Sequence, residues 1–307
     1  MPLSSLPAPA SSRRVLITGA ASGLGLALAR GLAERGDRVL ATDVLRARPD
    51  SVPAGVDYLP LDVRLDADWT SALAHVRDSW GGVDVLVNNA GVATGGRIDV
   101  ATMDEWHRIV DINLLGVVRG CRTFTPLLKE QGSGHIVNVA SLAGLVHAPG
   151  MASYNAVKAG VVAVSETLDH ELAPHGIAVS VVCPAFFRTN LGASFAGADD
   201  DMEAAGKRLL ERSRRSADEV AAIVISGIDA RRDLILTDWD GRIAWRVKRF
   251  ARPLYRRAMR RAGARRSQGL RRRSTRPGDS APSTPRRLAA IRSAASAASD
   301  TSKVAER

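Results

Sequence analysis

The sequence predicts an α/β fold in which one doubly wound parallel sheet of about seven strands is flanked by helices. Three observations support this fold class. Short runs of Val, Ile and Leu recur along the chain, with helix-length segments between most of them. These runs have no polar face, which is typical of parallel strands covered by helices on both sides. Finally, 45% of the 307 residues are hydrophobic, which is ample for a buried core.

The predicted strands and helices alternate along the chain. Strands are expected at residues 15–17, 39–41, 58–61, 83–87, 136–139, 178–182 and 234–236. Helical periodicity predicts helices near residues 24–35, 69–80, 104–128, 153–173 and 217–228. The last helix opens with Ser-Ala-Asp-Glu, which is typical of a helix N-terminus.

Residues 188–212 interrupt this alternation between the sixth strand and the last helix. The segment contains Gly192, Gly197 and an acidic run at residues 199–201. A long insertion at this place in the fold forms either a substrate lid or a solvated loop, and both alternatives stay open at this point.

The net charge of +11 is unevenly distributed along the chain. Residues 241–307 contain 20 Lys and Arg against 3 Asp and Glu, whereas residues 1–240 contain 23 against 29. We therefore predict four parts: a disordered N-terminus (1–12), a nucleotide-binding catalytic domain (13–240), a basic amphipathic segment (241–264) and a disordered basic tail (265–307).

Cysteine and histidine usage indicates the compartment and the absence of metal chemistry. Cys121 and Cys183 are too few for a disulfide framework, and the six histidines show no metal-ligand spacing. No apolar block is long enough for a signal peptide or a bilayer span. We expect a cytoplasmic protein without a catalytic metal.

The first predicted strand runs into a glycine-rich turn and then a helix. Glycines permit positive φ angles and close backbone approach, and the free amides at a helix start favour a pyrophosphate. This pattern predicts a Rossmann-type dinucleotide site. Its members are Thr18, Gly19, Ser22, Gly23, Leu24 and Gly25.

Asp43 ends the second predicted strand, eighteen residues after Gly25. A carboxylate there accepts hydrogen bonds from the adenosine ribose hydroxyls and repels a 2′-phosphate, so we predict NAD rather than NADP. Arg46 and Arg48 lie close by and keep a phosphate-binding alternative open.

Further motifs follow in a fixed order and point to one family. They are Asp62-Val63 after the third strand, Asn88-Asn89-Ala90-Gly91 after the fourth, Asn113 in the next helix, Ser141 after the fifth strand, Tyr154-Asn155-Ala156-Val157-Lys158, Pro184 and Thr189. Over about residues 13–240 the chain therefore resembles the short-chain dehydrogenase/reductase family. Ala185 departs from the pattern, because the family usually has Gly there.

The resemblance implies the roles of these residues. Asn113, Ser141, Tyr154 and Lys158 match the catalytic set. The cofactor contacts implied besides the glycine turn and Asp43 are Asp62, Val63, Asn89, Ala90, Gly91, Tyr154, Lys158, Pro184 and Thr189. Ser141 would hydrogen-bond the substrate oxygen, and Asn113 would place a water that links Lys158 to solvent. Family members usually pair through the helices carrying Asn113 and Tyr154, so a homodimer or homotetramer is expected.

The implied reaction moves a hydride between nicotinamide and a secondary alcohol or ketone. Tyr154 would exchange the hydroxyl proton. Lys158 lies one helical turn away, and its ammonium is expected to lower the Tyr154 pKa by about two units from about 10. Pocket walls near residues 91–96, 142–152 and 186–212 indicate a lipophilic substrate. The apolar residues expected in these walls are Leu145, Val146, Met151, Phe186 and Phe187.

Two other functions stay open from the sequence. One is an NADPH-dependent 3-oxoacyl-carrier-protein reductase of the same family. The other is a non-catalytic dinucleotide-binding scaffold that uses its basic tail, although a scaffold has no need of the four catalytic residues.

Residues 242–261 form a basic amphipathic segment. Ile243, Val247, Phe250, Leu254 and Ala258 fall at helical spacing, with Trp245, Tyr255 and Met259 nearby, among nine Lys and Arg. Either the segment binds an anionic membrane peripherally, or its apolar stripe packs on the protein's own core or a sister subunit. We do not expect nucleic-acid binding. Pro253 counts against one unbroken helix.

Overall fold

The computed structural model describes residues 12–189 and 197–274 of the chain. Seven parallel strands form one sheet: β1 (Arg14–Thr18), β2 (Arg38–Asp43), β3 (Asp57–Pro60), β4 (Val85–Asn88), β5 (Gly134–Val139), β6 (Ile177–Cys183) and β7 (Leu234–Leu236). Their order is β3-β2-β1-β4-β5-β6-β7. The order therefore reverses between β1 and β4, where open α/β sheets bind their ligands. The predicted doubly wound sheet is confirmed.

Helices cover both faces of this sheet. They are α1 (Gly23–Glu34), α2 (Asp66–Trp80), α3 (Met103–Val110), α4 (Gly116–Gln131), α5 (Ala143–Val146), α6 (Ala152–Leu172), α7 (Asp200–Glu211) and α8 (Ala217–Asp229). A π-helix, Asp111–Leu115, divides the helix predicted over residues 104–128 into α3 and α4. Sequence periodicity does not reveal such a bulge, because apolar spacing barely changes across one widened turn.

Alternate strand residues supply the two halves of the core. Leu16, Leu40 and Leu86 face the side covered by α2, α4 and α6. Val15, Val39 and Val85 are their immediate neighbours in sequence and face the side covered by α1 and α8. All of these side chains are buried, as expected for strands without a polar face.

The segment between β6 and α8 contains a helix. α7 begins at Asp200, immediately after Asp199, whose side chain accepts a hydrogen bond from the amide of Met202. Met202 and Leu210 bury the inner face of α7, so this part of the insertion is a packed helix and not a solvated loop. Gly192 lies outside the described residues.

Two helices follow β7: α9 (Trp239–Phe250) and α10 (Arg252–Ser274). They break at Ala251, and Pro253 is the second residue of α10, where a missing amide hydrogen is tolerated. The tail was expected to lack regular structure from residue 265, yet α10 continues to Ser274 because Arg, Ala and Gln favour helix without an apolar stripe. The compact unit that contains the sheet ends at Gly263. None of the described helices is long and apolar enough to cross a bilayer.

Candidate active site

A cavity of about 620 Å³ opens at the carboxyl ends of β1, β4, β5 and β6. Most of the residues predicted to bind the cofactor or react line it: Gly19, Ser22, Leu24, Asp43, Asp62, Val63, Asn89, Ala90, Gly91, Ser141, Tyr154, Lys158, Pro184 and Thr189. The predicted residues Thr18, Gly23, Gly25 and Asn113 lie behind this wall. The structure therefore brings the predicted set together in one place.

The glycine turn forms part of the cavity wall. Gly19 and Gly23 have φ angles of 64° and 55°, which side chains rarely adopt. A Cβ at Gly25 would lie 2.2 Å from the Gly19 carbonyl oxygen. Ser22 precedes α1 without capping it through its side chain. The turn thus leaves backbone and helix-start amides facing the cavity, which fits a dinucleotide pyrophosphate.

Hydrogen bonds of Thr18 and Asn89 join this turn to the residues that follow β4. The Thr18 hydroxyl accepts hydrogen bonds from the amides of Asn89 and Ala90, each at 3.0 Å. The Asn89 side chain donates to the carbonyls of Thr18 and Gly19 at 2.9 and 3.1 Å. Thr18 is buried, so it supports the turn and does not line the cavity.

Asp43, at the end of β2, also lines the cavity. Its carboxylate accepts a hydrogen bond from the Ala21 amide at 3.2 Å, which joins the end of β2 to the glycine turn. Arg48 donates to the carbonyls of Val52, Pro53 and Val56, so its guanidinium braces a neighbouring loop.

Arg64 is a cavity residue that the sequence analysis missed. It lines the cavity and pairs with Asp62 at 2.6 Å. The hydrogen bonds from Arg64 lower the pKa of the Asp62 carboxyl despite partial burial. The sequence offered one indication that Arg64 lies at the cavity, because it directly follows the Asp62-Val63 pair. Its position in the sequence does not show that it forms an ion pair with Asp62.

Ser141, Tyr154 and Lys158 line the same cavity, where β5 and α6 meet. The Ser141 hydroxyl donates to the Pro184 carbonyl at 3.4 Å and accepts from the Ala143 amide at 3.1 Å. The Lys158 Nζ atom donates to the Val139 carbonyl at 2.8 Å and lies 6.0 Å from the centre of the Tyr154 ring.

Asn113 lies behind these residues, in the π-helix. Its Oδ1 atom accepts from the Val92 amide at 2.8 Å, and its Nδ2 atom donates to the Val92 carbonyl at 2.9 Å. A Cβ at Gly91 would lie 3.3 Å from Oδ1 of Asn113 and 3.6 Å from Nζ of Lys158. Asn113 therefore adjoins Lys158 across Gly91 and is fully buried.

Burial governs the pKa values of this group. Burial lowers the pKa of Lys158 to about 8. Burial raises the pKa of Tyr154, and the hydrogen bond with Ser141 only partly opposes this. The expected net lowering of the Tyr154 pKa is therefore wrong for the free protein: burial desolvates the phenol, and the Lys158 ammonium hydrogen-bonds a carbonyl and not the phenol oxygen.

The substrate side of the cavity is mainly apolar. Val146, Met151, Phe186 and Phe187 line it as predicted, together with Leu142, Ala148 and Leu210. The prediction for Leu145 is wrong, because this side chain packs against the hydrophobic core below α5. Arg108 of α3 is a cationic residue that also lines the cavity and that the sequence did not indicate. The described residues bring no three His, Cys, Asp or Glu side chains together as a metal site.

Comparison with known proteins decides the family. A family model described as short chain dehydrogenase matches residues 13–199. The chain belongs to the short-chain dehydrogenase family. The sequence resemblance is thereby confirmed.

Similar short-chain dehydrogenases act on varied hydroxy compounds. The chain is 35% identical over 190 residues to a D-beta-hydroxybutyrate dehydrogenase of Rhizobium meliloti, covering 59% of this chain and 73% of that protein. It is 35% identical over 178 residues to a 3-alpha-(or 20-beta)-hydroxysteroid dehydrogenase of Mycobacterium bovis, covering 57% and 68%.

The likeness extends to solved structures of short-chain dehydrogenases. One from Burkholderia phymatum, in complex with NAD, is 30% identical and superimposes with a TM-score of 0.74, covering 80% of this chain and 95% of that chain. The protein is thus a nicotinamide-dependent oxidoreductase of hydroxyl and keto groups, the reaction class that the sequence predicts.

Proposed function

We propose that this short-chain dehydrogenase transfers a hydride between NAD and a secondary alcohol or ketone of a lipophilic substrate, with Tyr154 as its acid and base. One observation carries the proposal. Ser141, Tyr154 and Lys158 line the same cavity as residues of the glycine turn, so a single site can accept both reacting partners.

The bound nicotinamide supplies or accepts the hydride. Tyr154 gives or takes the proton at the substrate oxygen, and the Ser141 hydroxyl holds that oxygen beside the phenol. Lys158, with its pKa near 8, stays mostly protonated at neutral pH and stabilises the phenolate by its charge. Asn113 places a water that connects Lys158 with solvent; its location across Gly91 from Nζ supports this role.

The adenosine side favours NAD over NADP. Asp43 lines the cavity where the ribose hydroxyls would lie, and a carboxylate there repels a 2′-phosphate. The Arg48 guanidinium donates hydrogen bonds to three carbonyls of residues 52–56, which leaves it poorly placed to bind a phosphate. Arg46 is exposed and is the remaining cation of the phosphate-binding alternative.

A peripheral membrane contact fits the outer face of α9. Gly241 and Trp245 face the body of the protein, whereas Trp239 and Phe250, on the opposite side of the helix, are 70% and 80% exposed. Residues 241–274 contain 14 Lys and Arg and no Asp or Glu. Exposed aromatic residues among arginines are typical of helices that lie on anionic membranes.

A homodimer or homotetramer is the proposed assembly, formed through α4 and α6 as is usual in the family. Sedimentation velocity of the full-length protein measures it directly. A single species at the mass of one chain at micromolar concentration excludes it.

The central test compares the wild-type enzyme with Tyr154→Phe. NAD⁺ reduction is followed at 340 nm with 2-propanol, 3-hydroxybutyrate, 2-decanol, retinol and androsterone, with NADP⁺ in parallel. We expect oxidation of a lipophilic alcohol with NAD⁺, and a loss of at least about a hundredfold in kcat/KM in the variant.

The outcomes separate the alternatives. Activity restricted to acetoacetyl-CoA with NADPH indicates the 3-oxoacyl-carrier-protein reductase. Tight NADH binding without turnover of any compound by the wild-type enzyme contradicts the proposal and favours the scaffold.

A further inference from the structure

A very short helix, α5, forms part of the cavity wall on the substrate side. α5 is a single turn, and Val146, its last residue, lines the cavity. The chain leaves α5 at His147 in the left-handed conformation, with φ 54° and ψ 63°. Because the helix stops there, the carbonyls of its last residues need donors from elsewhere in the protein.

The C-terminal helices supply those donors. The Lys248 ammonium of α9 donates to the Leu145 carbonyl and lies 2.8 Å from Nδ1 of His147. The Tyr255 hydroxyl of α10 donates to the Val146 carbonyl. Two side chains from the extension thus contact three consecutive residues, 145–147, about a hundred positions earlier in the chain, and Val146 among them lines the cavity.

Packing supports the same contact. A Cβ at Gly241 would lie 3.1 Å from Cδ2 of Leu142, so α9 approaches the start of this wall closely. Trp245 packs against the core cluster that Leu142 and Leu145 also join. Burial and the nearby Arg252 lower the pKa of Lys248, as expected for an ammonium drawn partly out of water.

We propose that α9 and the first turn of α10 position the substrate-side wall formed by residues 142–148, with Lys248 and Tyr255 as the positioning residues. A left-handed residue such as His147 persists when its surroundings hold it in place. The inference rests on the proposed function, because it assigns this wall to the substrate and not to the cofactor.

Hydrogen exchange tests the proposal without requiring a known substrate. Lys248→Met and Tyr255→Phe, singly and together, each remove one donor. We expect amide exchange in residues 142–149 to accelerate by about tenfold or more in the double variant, because each of the two lost hydrogen bonds is worth roughly a factor of two to ten in the opening equilibrium. Exchange in residues 14–26 and NADH affinity are expected to stay within about twofold of the wild-type values.

Matched variants separate positioning from a general loss of structure. Arg246→Met removes a cation from the exposed side of the same helix and is expected to leave exchange unchanged. Lys248→Arg retains a cationic donor and is expected to restore protection in part. Unchanged exchange in residues 142–149 in the double variant overturns the proposal. So does an equal acceleration throughout residues 14–229.

Separate measurement of KM and kcat provides the second readout. For the panel alcohol that the wild-type enzyme oxidises fastest, we expect the double variant to raise KM by about threefold to tenfold with kcat nearly unchanged. A fall in kcat and NADH affinity without a change in KM overturns the assignment of this wall to the substrate. If the wild-type enzyme oxidises no alcohol, the proposed function fails, whereas the exchange experiment still decides whether the extension holds the wall.

Discussion

At the scale of single residues, burial sets the chemistry of the tyrosine and lysine pair. Tyr154 is desolvated, and its pKa is raised, so the phenol is protonated at neutral pH. A protonated phenol is the form that gives a proton to a newly reduced carbonyl, whereas oxidation of an alcohol needs the phenolate. The two directions of the reaction therefore respond oppositely to pH.

The pH dependence of the two directions tests this. We expect kcat/KM for alcohol oxidation to rise by up to about tenfold per pH unit between pH 7 and 9. We expect kcat/KM for ketone reduction to stay flat across this range and to fall only above it, because the raised Tyr154 pKa keeps the phenol protonated. Initial rates in both directions across this range measure it. In Lys158→Met the missing cation is expected to displace the oxidation profile to higher pH, and an undisplaced profile would argue against the role of Lys158.

Gly25 shows how closely the glycine turn is packed. A Cβ there would lie 2.2 Å from the Gly19 carbonyl oxygen and 2.5 Å from Nδ2 of Asn89. We expect Gly25→Ala to lower the free energy of unfolding by about 1–3 kcal/mol and to weaken NADH binding by about tenfold or more. Thermal unfolding and fluorescence titration with NADH measure the two effects.

Gly263→Ala is the matched control, because a Cβ at this helical glycine would meet no atom within 4 Å beyond its chain neighbours and its own helix backbone. It is expected to leave NADH binding nearly unchanged and to raise the free energy of unfolding by at most about 1 kcal/mol, because Ala favours helix more than Gly does. Equal behaviour of the two variants would contradict the steric account of the turn.

At the scale of elements, an ion pair joins the start of α7 to the segment that follows β4. Arg97 donates to Asp199 through its amide, its Nε atom at 2.7 Å and its Nη2 atom at 3.1 Å. The Asp199 side chain is fully buried and precedes α7 directly. Burial alone would raise the pKa of Asp199, but the hydrogen bonds from Arg97 and Met202 outweigh it and lower the pKa.

Removing the guanidinium leaves this carboxylate buried without its cation. We therefore expect Arg97→Met to destabilise the docked α7 by about 1–3 kcal/mol and to increase proteolytic cleavage within residues 197–211. Lys207→Met, which breaks a half-exposed pair with Glu203 on the same helix, is expected to change the cleavage rate less than Arg97→Met does. Equal cleavage of both variants would show that the Arg97 pair does not hold α7.

At the scale of the whole molecule, charge separates the catalytic body from the C-terminal helices. Residues 1–240 carry a net charge of −6, whereas residues 241–307 carry +17. Each Lys or Arg near an anionic leaflet contributes about 1 kcal/mol, and the contribution weakens as salt screens it. The extension is therefore the part of the molecule suited to an anionic surface.

Vesicle sedimentation tests this attraction. We expect the full-length protein to bind phosphatidylglycerol vesicles at low salt and to bind phosphatidylcholine vesicles weakly. Replacing the exposed Phe250 and Leu254 by Ser is expected to weaken binding by about tenfold or more. Leu209→Ser, at an exposed leucine on α7, serves as the control. Binding that is insensitive to salt and to these substitutions would remove the membrane proposal.

Much of this protein was predictable from the sequence by itself. The seven strands were found because parallel strands buried on both faces read as uninterrupted apolar runs. The glycine turn was found because positive φ angles and close approach require glycine at those positions. Tyr154 and Lys158 were placed together because residues four apart share one helix face. Each of these properties is local.

Tertiary structure alone decided the rest. The π-helix around Asn113, the ion pair that holds α7 and the contacts of Lys248 and Tyr255 with α5 join residues that are not neighbours in any sequence pattern. The pKa of Tyr154 depends on how completely the fold removes water from the phenol. The spacing of residues along the sequence does not show which side chains lose their contact with water. Local backbone preference depends on each residue and its neighbours in sequence, whereas burial and long-range contacts arise only when the whole chain has packed.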